Sequence, residues 1–247
     1  MTESELSQFV FISAVVSCGV LWVLESVVPF FQNRHHRYKH ALVNVSVATL
    51  NALISSALTA GALVVLSYIR PHWQGLKGLI DGLIEQQLLI SGVLVVCFDL
   101  WAYLWHRLNH AVPLLWRFHR FHHADAEMDV TTGFRFHPIE IMLSEILRLP
   151  VLALLGMGAF EILLYNLLSF PIILMHHSNV ALPTWLDRML AYLFPSPNVH
   201  RLHHSANPAE SNMNFGSMFS VWDRLFGSLI WRENLKALRL GVEVREV

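Results

Sequence analysis

The histidines of this 247-residue chain are unevenly distributed: fifteen occur, and most fall in three short windows, 106–123, 176–177 and 200–204. In the first window His106 and His110 are four residues apart, so in a helix both imidazoles lie on the same side, about one turn apart. Because neutral imidazole nitrogens are common metal ligands, one cation can bind this pair.

A second pattern occurs twice. His119, His122 and His123 follow the spacing i, i+3 and i+4, and the same spacing recurs at His200, His203 and His204, so each set converges on one helical face. Eight imidazoles in such motifs are costly to pack together unless a cation satisfies their lone pairs. They also exceed the four ligands of a closed zinc site, so two metal ions are indicated. Spacing alone leaves iron, zinc, copper and nickel open.

Two carboxylates are candidates for supporting these ligands. Asp99 precedes His106 by seven residues, and a carboxylate that accepts the far N–H of a ligating histidine fixes its tautomer. Glu140, near His137, is expected to act similarly, although salt bridges to Arg107 or Arg135 are nearly as plausible for these carboxylates. The remaining histidines beside basic or aromatic residues are expected at the level of the lipid headgroups, namely His35, His36, His40 and His72.

The composition indicates the elements that must position these groups. Hydrophobic residues make up 54% of the chain and charged residues only 14%, which is too little polar surface for an ordinary soluble domain. The net charge of −1, with scattered Lys and Arg, excludes an electrostatic surface for nucleic acid. Cys18 and Cys97 lie in apolar runs without the spacing of a metal site or disulfide framework.

Long apolar stretches predict an all-α integral membrane protein with about four transmembrane helices. Residues 9–31, 41–69 and 88–105 are each long enough to span, and 139–175, interrupted by glycines at 156 and 158, predicts a helical hairpin. Since a hairpin returns the chain to the side it left, every histidine window is expected on one face. The basic loop at 33–39 assigns that face to the cytoplasm.

Residues after 179 contain several prolines and no further span, which predicts a histidine-rich helical cap on the cytoplasmic side. Within it, 182–194 has the pattern of an interfacial helix, with a core helix equally plausible. We expect membrane anchor helices in 1–87 and a catalytic region in 88–247, together forming one membrane-embedded domain. The substrate pocket is expected to depend on apolar side chains that include Phe134, Met142, Met157, Phe160, Phe170 and Met175.

Several blocks together resemble the fatty acid hydroxylase superfamily, also called the sterol desaturase family. They are DLWAYLWHRLNH at 99–110, LWRFHRFHH at 115–123, TTGFRFHPIE at 131–140, HSN at 177–179, HRLHHS at 200–205 and WDRLFG at 222–227. The sequence departs from the pattern at Asn214-Phe215-Gly216, where many members carry tyrosine before the glycine. We expect this departure to affect the substrate pocket without touching a metal ligand.

The resemblance implies a non-haem di-iron oxygenase that uses dioxygen to hydroxylate, or else desaturate, a fatty acyl, sterol or ether lipid. It implies nine ligands: His106, His110, His119, His122, His123, His177, His200, His203 and His204. His177 is chosen over His176 because the family block reads His-Ser-Asn, and His137 is a reserve ligand. Without a nucleotide or haem-attachment motif, electrons must come from a separate protein or a pterin. The alternatives are a metal transporter and an inactive homologue.

Overall fold

The structure is a computed structural model that describes residues 2–32, 36–81, 83–84 and 86–242. Over these residues the chain is helical, with isolated β-bridges and a short 3-10 helix, Val130–Phe134. The α-helices, in chain order, are α1 Glu3–Val27, α2 Arg37–Ile69, α3 Gly75–Asp81, α4 Gln87–Ala111, α5 Pro113–His123, α6 Pro138–Leu155, α7 Ala159–His177, α8 Thr184–Leu190, α9 Pro197–His203, α10 Pro208–Ser211 and α11 Val221–Leu225.

Four of these helices, α1, α2, α4 and α7, are long and apolar enough to cross a membrane. The first two expose large apolar side chains such as Phe11, Leu53 and Tyr68. Such surfaces are stable against lipid tails, where helices satisfy their own backbone hydrogen bonds. The prediction of an all-α membrane protein with about four spans is confirmed.

The predicted hairpin is formed by α6 and α7, but only its second helix meets the criterion for a span. Glu140, Glu145 and Arg148 place three charges within the 18 residues of α6. Glu145 pairs with Arg148 and accepts a hydrogen bond from Ser55 of α2, so these charges are used in helix packing. Hydrophobic length alone did not distinguish α6 from a lipid-facing helix.

The turn of the hairpin requires glycine at position 156. Gly156 has a φ of +73°, and an added Cβ would lie 2.0 Å from the carbonyl oxygen of Gln74. Glycine adopts this left-handed conformation without a steric penalty. The reversal lets α6 begin and α7 end at the same end of the bundle.

Apolar packing between helices brings α4 and α7 side by side. Ile90 and Leu94 of α4 and Ile162 of α7 are buried in one core cluster with Leu66 and Leu152. Helix α1 packs against α7, and α2 packs against α6. Because α4 and α7 run in the same direction, their histidine-bearing ends share one end of the molecule.

The segment after α7 forms the predicted cap from short helices. Helix α8 is shorter than the predicted 182–194 segment, and it exposes Trp185 and Met189 while burying Asp187. Outward-facing apolar side chains fit the interfacial prediction and not the core-helix alternative. Ser196 accepts a hydrogen bond from Val199 N at the start of α9, and Pro197 occupies its first turn.

Candidate metal centre

The nine histidines proposed as ligands converge in two neighbouring groups between the helix ends and the cap. The five-histidine group contains His106, His110, His119, His123 and His203, and the four-histidine group contains His122, His177, His200 and His204. Within each group, one nitrogen from every ring lies within 4.8 Å of the others. Seven of the nine residues are buried, and His106 and His110 are half-buried. The expectation that every histidine window shares one face of the bundle is confirmed.

Each His-x-x-His-His motif supplies both groups. His119 and His123 join the five-histidine group while His122 joins the other, and in α9 only His203 joins the five-histidine group. The motifs lie near the ends of α5 and α9, between the ends of α4 and α7. Residues i+3 and i+4 differ in direction around a helix axis, so one motif can divide its rings between adjacent centres.

Backbone carbonyls fix which nitrogen several rings present. The Nδ1 atoms of His106 and His203 lie 2.9 and 2.7 Å from the carbonyl oxygens of Phe215 and Met213. In the other group, the Nδ1 atoms of His122 and His177 contact carbonyl oxygens at 3.1 and 2.7 Å. A carbonyl oxygen only accepts, so each Nδ1 carries the proton and each Nε2 carries a lone pair.

The Nε2 atoms then face one another in pairs. His106 and His203 are 2.9 Å apart at Nε2, and His122 and His177 are 3.2 Å apart. Neither nitrogen of such a pair has a proton to donate, so the close approach is favourable only with a cation between them. Two nitrogens bound to one cation at about 2.1 Å and at right angles lie about 3 Å apart. The donor set therefore fits a metal ion in each group.

Electrostatics keeps the extramembrane ligands neutral. Burial, followed by repulsion from neighbouring imidazoles, lowers the pKa of His122 and His123 well below the usual histidine value. The same causes lower the pKa of His200, His203 and His204. Neutral imidazoles at physiological pH retain the lone pairs that metal binding needs.

Glu140 supports a ligating histidine, as expected from the sequence, and that histidine is His119 and not the nearby His137. Its Oε1 lies 2.7 Å from Nδ1 of His119, and both side chains are buried. The carboxylate therefore directs Nε2 of His119 toward the five-histidine group. His137 instead caps α6, where its Nδ1 accepts a hydrogen bond from Ile139 N, and it belongs to neither group.

The prediction that Asp99 supports His106 is wrong. Buried Asp99 accepts hydrogen bonds from the backbone N–H groups of Met218 and Phe219, from Trp222 Nε1 and from Tyr165 Oη. The alternative salt bridge to Arg107 is also absent among the described residues. Asp99 thus fastens the cap to α4 and α7, an arrangement that sequence spacing along one helix does not reveal.

The expectation that the Asn214-Phe215-Gly216 segment touches no proposed ligand is also wrong. Phe215 provides the carbonyl that fixes His106, and its ring contacts His106, His110 and His203. Asp223 accepts hydrogen bonds from the backbone N–H groups of Phe215 and Gly216. Asn214, in the left-handed region at φ 61°, bonds to Val199 O and Ile230 O through its side chain.

Comparison with known proteins agrees with this arrangement. The family model for fatty acid hydroxylase matches residues 91–228, more than half of the chain, and it includes all nine clustered histidines. The chain belongs to the fatty acid hydroxylase family. The resemblance recognised from the motifs is therefore confirmed. No solved structure gives a significant match.

Several proteins similar to this chain are named as hydroxylases or monooxygenases of lipids. An ornithine lipid hydroxylase of Rhizobium tropici is 35% identical over 140 residues, covering 57% of this chain and 41% of the relative. Cholesterol 25-hydroxylase of Homo sapiens is 26% identical over 216 residues, covering 85% and 76%. Alkylglycerol monooxygenase of Xenopus tropicalis is 24% identical over 220 residues, covering 88% and 47%. The chain thus spans less than half of the first and third relatives.

In this hydroxylase-family chain, His176 is buried beside His200, with ring centroids 3.9 Å apart, but it belongs to neither histidine group. His40 takes part in a polar network that the headgroup-level prediction did not include, because its Nε2 contacts Asp125 at 2.8 Å and its Nδ1 contacts Asp129 at 3.1 Å. His36 and His72 are exposed as expected, and His35 lies outside the described residues.

Sequence reasoning missed the polar network around His40. Asn44, one turn further along α2, donates to Thr131 Oγ1 and accepts from Arg135, whose carbonyl accepts from Nδ1 of His122. The i, i+4 spacing of His40 and Asn44 on one helix face was the available signal. Its partners lie more than 80 residues away in the chain, so the spacing could not identify them.

A cavity of about 1140 Å³ reaches the five-histidine group at His110 and His123. None of the six apolar side chains expected to shape a substrate pocket lines it, and Met157 is instead part of the buried helix core. The lining combines aromatic, aliphatic, polar and basic side chains from the end of α4, α5, the start of α6, the segment after α9 and the C-terminal segment: His110, Trp116, Arg117, Phe118, Arg120, Phe121, His123, Ala124, His137, Ile139, Ser205, Ala206, Pro208, Ser211, Asn212, Gly241 and Val242.

Proposed function

We propose that this protein is a membrane-bound oxygenase that hydroxylates a C–H bond of a lipid at a pair of iron ions. The observation that carries the proposal is the meeting of nine histidines in two groups whose Nε2 lone pairs face one another. Two adjacent cation sites of this kind suit two-metal redox chemistry better than a single closed structural site.

The proposed ligands are the residues of the two groups. His106, His110, His119, His123 and His203 would hold one ion, and His122, His177, His200 and His204 would hold the other. When bound, iron supplies the redox chemistry that activates dioxygen with electrons from outside the chain. The protein's own contribution is to orient the imidazoles through carbonyls and Glu140 and to limit water through burial.

Membrane lipid as substrate follows from the helices and from the relatives' names. The bundle exposes apolar helices suited to a bilayer, and the proteins it resembles are named for ornithine lipid, cholesterol and alkylglycerol. We further propose that the metal centre faces the cytoplasm, where a separate electron-donor protein or a pterin reduces it. Residues 1–87 serve as anchor helices and 88–247 as the catalytic region.

A metal transporter is not favoured. Transporter sites lie near the middle of the bilayer on broken helices, whereas these ligands lie at the ends of α4 and α7 and in the cap. An inactive homologue is also not favoured, because all nine proposed ligands lie in compact histidine groups that could hold a metal ion. Metal flux in proteoliposomes without lipid turnover would reverse this ranking.

The test is a pair of alanine variants, His122→Ala and His203→Ala, that removes one ligand from each group, with the exposed His72→Ala as a matched control. Metal content would be measured on the purified protein, and lipids from expressing cells would be compared by mass spectrometry for the gain of one oxygen. Both ligand variants should lose bound iron and the oxygenated product, while the control keeps both. Full product in either ligand variant would refute the proposal.

A further inference from the structure

The cavity that reaches the five-histidine group carries positive charge that the proposed chemistry does not use. Arg117 and Arg120 both line it, and their i, i+3 spacing on α5 places them on neighbouring positions of one helix face. Both are exposed, and among the described residues neither guanidinium has an ion-pair or hydrogen-bond partner. Within the part of the chain that the structure describes, no aspartate or glutamate lines this cavity.

Two arginines of the cap, by contrast, have carboxylate partners. Arg188 pairs with Glu233, and Arg232 pairs with Glu210. Arginine's planar donor fork matches phosphate and carboxylate groups, so an unpaired pair of arginines beside a cavity suits an anionic ligand.

The rest of the lining fits the apolar part of the same ligand. Trp116, Phe118 and Phe121 come from α5 together with the two arginines, and Ile139 lies at the start of α6. A volume of about 1140 Å³ accommodates more than a bare ion, and its lining includes His110 and His123 of the five-histidine group. One molecule can therefore place a charged group beside the arginines and a hydrocarbon segment toward the proposed metal ligands.

We propose that this cavity binds a lipid with an anionic headgroup, phosphate or carboxylate, and that Arg117 and Arg120 select it as substrate over neutral lipids. The inference rests on the proposed function, since it takes the cavity as the route to the metal centre. On this inference, the substrate of this chain is an anionic lipid and not an uncharged sterol.

The binding test uses the full-length protein in detergent and native mass spectrometry. Dioleoyl phosphatidylglycerol, an anionic lipid, is titrated against dioleoylglycerol, which has the same acyl chains and no phosphate or other charge. The wild type should bind the anionic lipid more tightly. The double variant Arg117→Gln with Arg120→Gln should weaken that binding by about tenfold, as expected for two exposed charge-assisted contacts, and leave the binding of dioleoylglycerol unchanged.

The matched control removes two charges from the same end of the molecule, outside the cavity. Lys39 and Arg239 are exposed and do not line it, so the double variant Lys39→Gln with Arg239→Gln should retain the preference for the anionic lipid. Equal losses in both double variants would identify ordinary membrane phospholipids attracted to surface charge and would overturn the inference.

The wild type alone also provides a test if a variant fails to fold, because equal affinity for the two lipids would overturn the inference. Lipid binding needs neither bound metal nor turnover, which separates this test from that of the proposed function. Hydroxylation of a neutral lipid without anionic selectivity would leave the proposed function intact and remove this inference. Selective binding without any hydroxylated product would support the lipid site and count against the oxygenase.

Discussion

Among the described residues, five of the nine proposed ligand histidines are oriented by a group bound to their Nδ1 atom. Phe215, Met213, Arg135 and Ile173 contribute carbonyls, while His119 alone among the proposed ligands pairs with a carboxylate, Glu140, in the described structure. A carboxylate raises the basicity of its histidine more than a carbonyl does. This asymmetry makes the five-histidine group electronically distinct from the other.

We expect Glu140→Gln to weaken metal binding in the five-histidine group while leaving the fold intact. The amide keeps the shape of the side chain but loses the charge that fixes His119, and such changes typically lower metal affinity by about 10–100-fold. Competition with a chelator, read by metal analysis, measures the affinity. Glu233→Gln, an exposed partner of Arg188, is the control. Unchanged metal affinity in Glu140→Gln would contradict the assigned role.

Asp99→Asn, in contrast to Glu140→Gln, should lower stability without weakening metal binding. The carboxylate accepts four hydrogen bonds that hold the cap segment and does not contact His106, so its loss should lower stability by about 1–3 kcal/mol. Thermal unfolding in detergent should show a lower midpoint, with metal content retained at low temperature. Metal loss with an unchanged midpoint would instead support the sequence-based role at His106.

At the scale of elements, the histidines meet because helix ends are brought together. Helices α4 and α7 end beside α5 and α9, and the α6–α7 turn reverses the chain at the opposite end of the bundle. His177 lies at the end of α7, the helix that begins after this turn. The turn is thus connected to the four-histidine group through α7.

Gly156→Ala tests the turn. The added Cβ would clash with the Gln74 carbonyl and would occupy a left-handed conformation, so we expect a loss of stability of at least about 1 kcal/mol. Gly61→Ala is the matched control, because no atom lies within 4 Å of its added Cβ in α2. The thermal midpoint should fall for Gly156→Ala and stay the same or rise for Gly61→Ala. Equal midpoints would contradict the account of the turn.

For the whole molecule, the decisive property is that one end carries both histidine groups and the cap. The opposite end carries the α6–α7 turn and α3, where Lys77 pairs with Glu161. Arg37 and Lys39 lie in the first turn of α2 at the histidine end, and on the positive-inside rule we propose that this end faces the cytoplasm. Three residues of the basic segment 33–39, Asn33, Arg34 and His35, lie outside the described structure.

Cysteine labelling tests this orientation. In a background without Cys18 and Cys97, Glu233→Cys on the exposed cap should react with a membrane-impermeant maleimide only from the cytoplasmic side. Asp81→Cys, exposed at the opposite end, should react only from the other side. Both should react equally after solubilisation in detergent. The reverse pattern in intact cells would place the metal centre outside the cytoplasm.

The sequence by itself predicted about four spans, the cap and the nine clustered histidines. These features are local: hydrophobic length predicts spans, and the spacing of His119, His122 and His123 follows helix geometry. The recurrence of that motif at positions 200–204 also indicated two metals. Local patterns of this kind require no knowledge of which segments are neighbours.

Only the tertiary structure decided the partners of those residues. It divided each His-x-x-His-His motif between two groups and paired Glu140 with His119. It also showed that Asp99 accepts hydrogen bonds from the cap and that His40 contacts Asp125. It also located the cavity on the α5 side. The physical reason is that hydrogen bonds and metal ligation depend on distances across the packed helices, and residues far apart in the chain set those distances.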